Sequence, residues 1–115
     1  MSNYSRTTAL ELMMDVMPRL RQLLDGIAKH DRNLAQQARR SASSVISNHG
    51  EADGQRAGHR KERILTARGS LYELRAQLKL AAAWGYLELE TVDEIVAHLD
   101  RVGAMTTARL KANTG

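Results

Sequence analysis

Lys61, Arg68 and Arg75 recur every seven residues, and Leu65, Tyr72 and Lys79 repeat the same interval beside them. On an α-helix, positions seven apart lie nearly above one another, so these residues form two adjacent columns. Tyr72 falls four residues after Arg68 and three before Arg75, which sets an aromatic ring into a cationic strip. A strip of this kind can follow a phosphate backbone and stack a base. Arg68 and Arg75 have no acid three or four residues away on their own helix, and Arg75 repels Lys79 at that spacing. Arg39, Arg40, Arg56 and Arg60 add cations nearby in sequence. Together with the strip they are the candidate nucleic-acid contacts. The acids Glu88, Glu90, Asp93, Glu94 and Asp100 offer the opposing explanation. Salt bridges from them, within or between subunits, would account for the same cations without nucleic acid.

Other reactive side chains do not converge. His30, His49, His59 and His98 contain no pair at the helical spacing of a metal site, and there is no Glu-x-x-His. The reading is no metal and no cofactor. His49-Gly50-Glu51 sets a base beside an acid, but the polarity of a loop explains it equally well and no nucleophile is fixed nearby. Ser70 lies within a helical pattern and not at the strand-to-helix elbow that a nucleophilic serine needs. Gly69 and Ser70 read instead as small residues that let two helices approach. Gly50, Gly54 and Gly58 lack the Gly-Lys-Ser/Thr ending of a phosphate loop. No catalytic residue is assigned, and the chain reads as a non-enzyme.

The strip needs a helix to carry it, and the stretch from Ile64 to Tyr86 supplies one. Ile64, Ala67, Leu71, Leu74, Leu78 and Ala81 step by threes and fours along a single core-facing seam. Gly85 is placed to be the left-handed residue that ends it. Three more helices are expected around this one. Thr8-Ala9-Leu10-Glu11 is a capping box that opens a first helix over 8–29, with Leu10, Met13, Met17, Leu20, Leu24 and Ile27 as its seam. Leu12, Val16 and Leu23 form a second stripe beside that seam. It is either a wider buried face or a surface for another subunit, and the sequence supports both equally. Pro18 is expected to kink this helix near Met14 or to split it. Asp31 caps a narrow second helix over 32–47, whose inward residues are mostly small. Asn48 to Gly58 reads as a loop, with the third helix spanning about 59–84. A second capping box, Thr91 to Glu94, opens a fourth helix over 92–111, and Ala112 to Gly115 should fray.

Composition agrees with an all-α fold. The 115 residues suit one domain, and a 3% aromatic content with no Phe leaves Leu, Met, Ile, Val and Ala to fill its core. Four helices with short connections predict an up-down-up-down bundle. The absence of Cys excludes disulfides and thiolate metal sites and fits a reducing cytoplasm. The polar start does not resemble a signal peptide, and no apolar run is long enough to span a bilayer, so no membrane role is expected. The formal charge is +4, and residues 31–85 hold ten basic and five acidic side chains against seven and eight elsewhere. All of the cationic excess lies in the middle of the chain, where an anionic partner would be drawn.

Three stretches together resemble one family. They are Arg39-Arg40-Ser41-Ala42 with Ser44-Val45-Ile46-Ser47-Asn48, then Ala67-Arg68-Gly69-Ser70-Leu71-Tyr72-Glu73-Leu74, then Gln77-Leu78 with Trp84-Gly85-Tyr86. The chain is similar over about residues 8–110 to the four-helix-bundle proteins first met as products of intervening sequences in large-subunit ribosomal RNA genes. The resemblance implies a bundle that assembles with itself into a ring, commonly a homopentamer, with no catalytic activity. Related proteins accompany the reverse transcriptases of diversity-generating retroelements and bind nucleic acid through a basic surface. Two functions are therefore expected. One is a homo-oligomeric nucleic-acid-binding accessory of an RNA- or retroelement-associated process. The other is a protein-protein scaffold with no nucleic-acid role, which docks a partner protein through the Leu12, Val16 and Leu23 stripe; a reverse transcriptase or another protein is the protein partner expected.

Overall fold

The computed structural model describes residues 7–112; residues 1–6 and 113–115, with the polar start and most of the expected fraying end, lie outside the described residues. It contains four helices: α1 Ala9–Ala28, α2 Arg32–Ala52, α3 Ala57–Ala83 and α4 Leu89–Ala112. Each packs on its neighbours in sequence and α1 closes against α4, giving the all-α four-helix bundle that the periodicity predicts. At about 1.5 Å rise per residue, the 27 residues of α3 extend roughly 40 Å, close to the 45 Å long dimension of the molecule. One helix thus runs nearly end to end, and residues along its outer side form a continuous surface.

Local chemistry sets three of the helix ends. Thr8 Oγ1 accepts from the Glu11 amide at 3.0 Å while Glu11 Oε1 accepts from the Thr8 amide at 2.9 Å, so the capping box closes as expected. Asp31 Oδ1 accepts from the Leu34 amide at 3.0 Å and starts α2. At the end of α3, Gly85 takes φ +79°, the Tyr86 amide reaches the Ala81 carbonyl at 2.8 Å and the Gly85 amide reaches Ala82 at 3.0 Å. These two bonds satisfy carbonyls that the helix itself leaves open. Pro18 lies inside α1 without splitting it.

Two boundaries differ from expectation. Helix α2 continues through Asn48 and His49 to Ala52, so the connection is only residues 53–56 and α3 starts at Ala57. Glycine and polar residues suggest a loop there, but tertiary bonds to Asn48 and His49 offset the weak helical preference. Helix α4 begins at Leu89, with the Val92 amide bonded to the Glu88 carbonyl at 3.1 Å. Thr91 is therefore within the first turn and is not its cap.

The core is continuous. The seam of α3, Ile64 to Ala81, is buried throughout, and its Leu71, Leu74, Leu78 and Ala81 share one apolar cluster with Met13, Leu20 and Ile27 of α1, Ala38 and Val45 of α2, and Ile95, Leu99 and Val102 of α4. Leu12, Val16 and Leu23 are 6%, 0% and 6% exposed and belong to the same core. This corrects the expectation that they form a free stripe for another subunit or protein. Helix α1 touches both α2 and α4, and two neighbours require two buried stripes.

Polar pairs tie the helices at fixed heights. The Ser44 and Ser70 hydroxyls share a 2.7 Å hydrogen bond between α2 and α3, while Asn48 Nδ2 donates to the Ser44 carbonyl at 2.9 Å and Arg63 Nη1 donates to Asn48 Oδ1 at 3.4 Å. Ser70 thus serves helix contact as expected. Gly69 does not: a Cβ there would meet nothing within 4 Å. Among the described residues the glycine that does permit a close approach is Gly26 of α1, where a Cβ would lie 3.0 Å from Leu87 Cδ2; a Cβ on Gly103 of α4 would make an ordinary contact, 3.4 Å from Leu71 Cδ2.

Candidate nucleic-acid interface

Helix α3 carries the strip because its seam is apolar at one heptad phase and cationic at the next. With Leu71, Leu74 and Leu78 turned inward, Tyr72 is left 54% exposed. Lys61 and Lys79 are exposed beside it, while Arg68 and Arg75 lean toward α4 and are half-buried. The five residues therefore share one side of the molecule, as the seven-residue spacing requires.

The opposing explanation holds for one cation. Arg75 Nε donates to Asp100 Oδ1 at 2.8 Å across α3 and α4, which forms an ion pair with both side chains partly exposed. Its two neighbours in the column are different. Arg68 Nη1 reaches only the Thr107 hydroxyl, at 3.5 Å, and neither Arg68 nor Lys61 has a carboxylate within ion-pair distance among the described residues. Glu88, Glu90, Asp93 and Glu94 make no ion pair to α3 among the described residues either. The strip is thus one-third neutralised along its main column.

The remaining candidates spread over other surfaces. Arg39 lines a depression between α1 and α2 with Ala28, Arg32, Ala35 and Gln36, on the opposite side of the bundle from the α3–α4 strip. Arg40 is exposed one position further round α2. Arg56 is exposed at the start of α3, where its side chain makes no cap bond. Arg60 folds back so that Nη2 donates to the Gln55 carbonyl at 2.9 Å, and it lines a cleft with Asp53, Arg109 and Ala112. Arg39, between α1 and α2, does not share the α3–α4 face with the strip. The site that the fold does assemble is the strip on α3 and what borders it.

Its border is a groove that the sequence reading missed. Between α3 and α4 lies a space of about 450 Å³ edged by Tyr72 and the Arg75–Asp100 pair, with Leu71, Leu99, Gly103 and Ala104 beneath. Asp100, Gly103, Ala104 and Thr107 repeat at helical spacing on α4, and that pattern was the available signal. The floor is apolar and low because Gly103 has no side chain and Ala104 only a methyl group.

His49, a possible base in the sequence, lies inside the bundle. It is fully buried, with Nε2 3.0 Å from Thr106 Oγ1 and Nδ1 accepting from Arg109 Nη1 at 3.2 Å. Burial and, secondarily, the charge of Arg109 push its pKa down to about 4, with Asp53 pulling the other way. Both ring nitrogens are engaged in holding helices together. Among the described residues no three His, Asp or Glu side chains cluster as metal ligands.

The sequence pattern of the 23S rRNA-intervening sequence proteins matches residues 7–108, which takes in α1 to α3 and most of α4. The chain belongs to that family. A solved structure supports the fold from another direction: a protein of unknown function from the S23 ribosomal protein family of Bacteroides thetaiotaomicron superposes with a TM-score of 0.83. The match covers 90% of this chain and 99% of that one at 17% identity, so it speaks for the fold alone. No curated protein is significantly similar in sequence. No described helix is long and apolar enough to cross a membrane.

Proposed function

We propose that this member of the 23S rRNA-intervening sequence protein family is a non-enzymatic, homo-oligomeric bundle that binds RNA or DNA through its basic surface. It serves as an accessory to an RNA- or retroelement-associated process in the cytoplasm. The observation that carries this reading is the α3 strip: Lys61, Arg68 and Lys79 flank the exposed Tyr72, with no ion pair to a carboxylate among the described residues. Cations without a carboxylate partner gain most from phosphates, which they contact with release of condensed counterions. Affinity of this kind is largely independent of base sequence.

Assembly into a ring, commonly of five subunits in proteins of this kind, would repeat the strip around one particle and multiply weak contacts. Exposed Trp84, at 58%, and Leu89, at 64%, supply apolar area for contacts between subunits or with a protein partner. A docking role for a reverse transcriptase or another protein would fall to these residues, since Leu12, Val16 and Leu23 are consumed by the core.

The test is retention of labelled RNA and DNA at low salt, repeated with Arg68→Glu plus Lys79→Glu. Binding should weaken steeply as salt rises and fall by at least about tenfold in the double variant. Retention unchanged by these substitutions, or none at low salt, would refute the proposal.

A further inference from the structure

We infer that the groove between α3 and α4 seats one unpaired nucleobase against the Tyr72 ring, so that single-stranded nucleic acid is taken in preference to duplex. This rests on the nucleic-acid reading above and narrows its substrate class. Three observations combine. Tyr72 is 54% exposed and, among the described residues, stacks on no other ring; the ring contacts present join His30, Trp84 and Tyr86 at the far end of α3. Beside it is about 450 Å³ of open space with an apolar floor. On either side along the helix are Arg68 and Lys79, roughly 6 Å and 10 Å from Tyr72 at about 1.5 Å rise per residue.

A planar apolar body fits this arrangement, and anionic groups fit its two flanks. That combination is a nucleotide within a strand: a base face for the ring and floor, phosphates for the cations. A duplex cannot offer it, because its base faces are covered by their neighbours in the stack and only edges and backbone reach a protein surface. The Arg75–Asp100 pair forms the wall of the groove and leaves Arg68 and Lys79 to meet phosphate. Since stacking uses the face that every base possesses, the groove is tolerant of base identity.

The experiment compares fluorescence anisotropy of three labelled probes at one salt concentration: an oligocytidylate RNA of about 12 nucleotides, the DNA of the same sequence, and an RNA duplex of that length. Single strands should bind at least about fivefold more tightly than duplex, and Tyr72→Ala should lower single-strand affinity by about 5- to 100-fold while leaving duplex affinity nearly unchanged. Tyr72→Phe should retain the preference. The stronger of the two single strands identifies whether RNA or DNA is the natural source of the base. Duplex binding as tight as single-strand binding overturns the inference, as does an equal loss on both in Tyr72→Ala, and either result leaves the basic-surface reading standing. If no probe binds, that reading falls as well. Because Tyr72 is outside the core, the variants should keep the helical circular dichroism and thermal midpoint of the parent.

Discussion

His49 Nε2 donates to Thr106 Oγ1 at 3.0 Å, joining α2 to α4 across the diagonal of the bundle. The direction of that bond follows from its neighbours. Arginine has no acceptor, so Arg109 Nη1 must donate to His49 Nδ1, which leaves the ring proton on Nε2. Thr106 passes its own proton to the Val102 carbonyl at 2.8 Å, and Arg109 Nη2 donates to Asp53 Oδ1 at 2.6 Å. Every buried polar atom in the chain of contacts has a partner, and the neutral imidazole is the form that fits.

Stability should therefore fall with acid in a defined window. The unfolded imidazole takes up a proton below about pH 6.5, whereas the folded one resists until about pH 4, so the unfolded state binds more protons between these values. Stability contributed by neutral His49 is complete above pH 6.5, decreases as pH falls and is gone below about pH 4. The whole window is worth about 3 kcal/mol. Urea unfolding at intervals from pH 7 to pH 4 checks this against His49→Gln, which should be less stable at pH 7 and show a much flatter profile. Parallel profiles would assign the acid sensitivity to other groups.

The second apolar stripe of α1 should behave as core. Leu12→Ala should cost about 2–4 kcal/mol, and Val16→Asp, which places a carboxylate where no water reaches, should abolish cooperative folding. Thermal unfolding followed by far-UV circular dichroism is sufficient. A fully folded Val16→Asp protein that merely changes its oligomeric state would restore the stripe as a subunit surface.

Two glycines on and after α3 should respond in opposite directions. Gly69 lies in open space within a helix, so Gly69→Ala should stabilise the bundle by about 0.5–1 kcal/mol. Gly85 has φ +79°, where a side chain is strained, and Gly85→Ala should cost about 1–2 kcal/mol. Paired melting curves read both. If Gly69→Ala leaves the melt unchanged but weakens self-association, then the open space is filled by another subunit.

Asp100 restrains Arg75, and its removal should release a cation to the groove. Asp100→Asn is expected to raise nucleic-acid affinity a few-fold at low salt and to steepen the salt dependence by about one unit of slope. A titration series from low to moderate salt measures both. Reduced affinity in this variant would mean that the ion pair holds the groove open, and that its wall outweighs the freed charge.

What the sequence determined by itself was whatever depends on neighbours along one helix. The capping box at Thr8 and Glu11, the Asp31 cap, the Gly85 turn and the seam from Ile64 to Ala81 are encoded within a few residues, and all are found as read. The shared side of Lys61, Arg68, Tyr72, Arg75 and Lys79 is likewise a matter of helical phase. Tertiary structure decided what lies opposite each face. Periodicity marks Leu12, Val16 and Leu23 as apolar but does not say whether α4 or another molecule covers them. Nor does it reveal that Asp100, 25 residues from Arg75, stands at the right height to neutralise it while Glu88 to Glu94 do not. His49 is the sharpest case: glycine-rich, polar surroundings favour a loop, yet partners 57 and 60 residues away hold it inside a helix. Such pairings depend on the relative rotation and stagger of whole helices, which only the packed core sets.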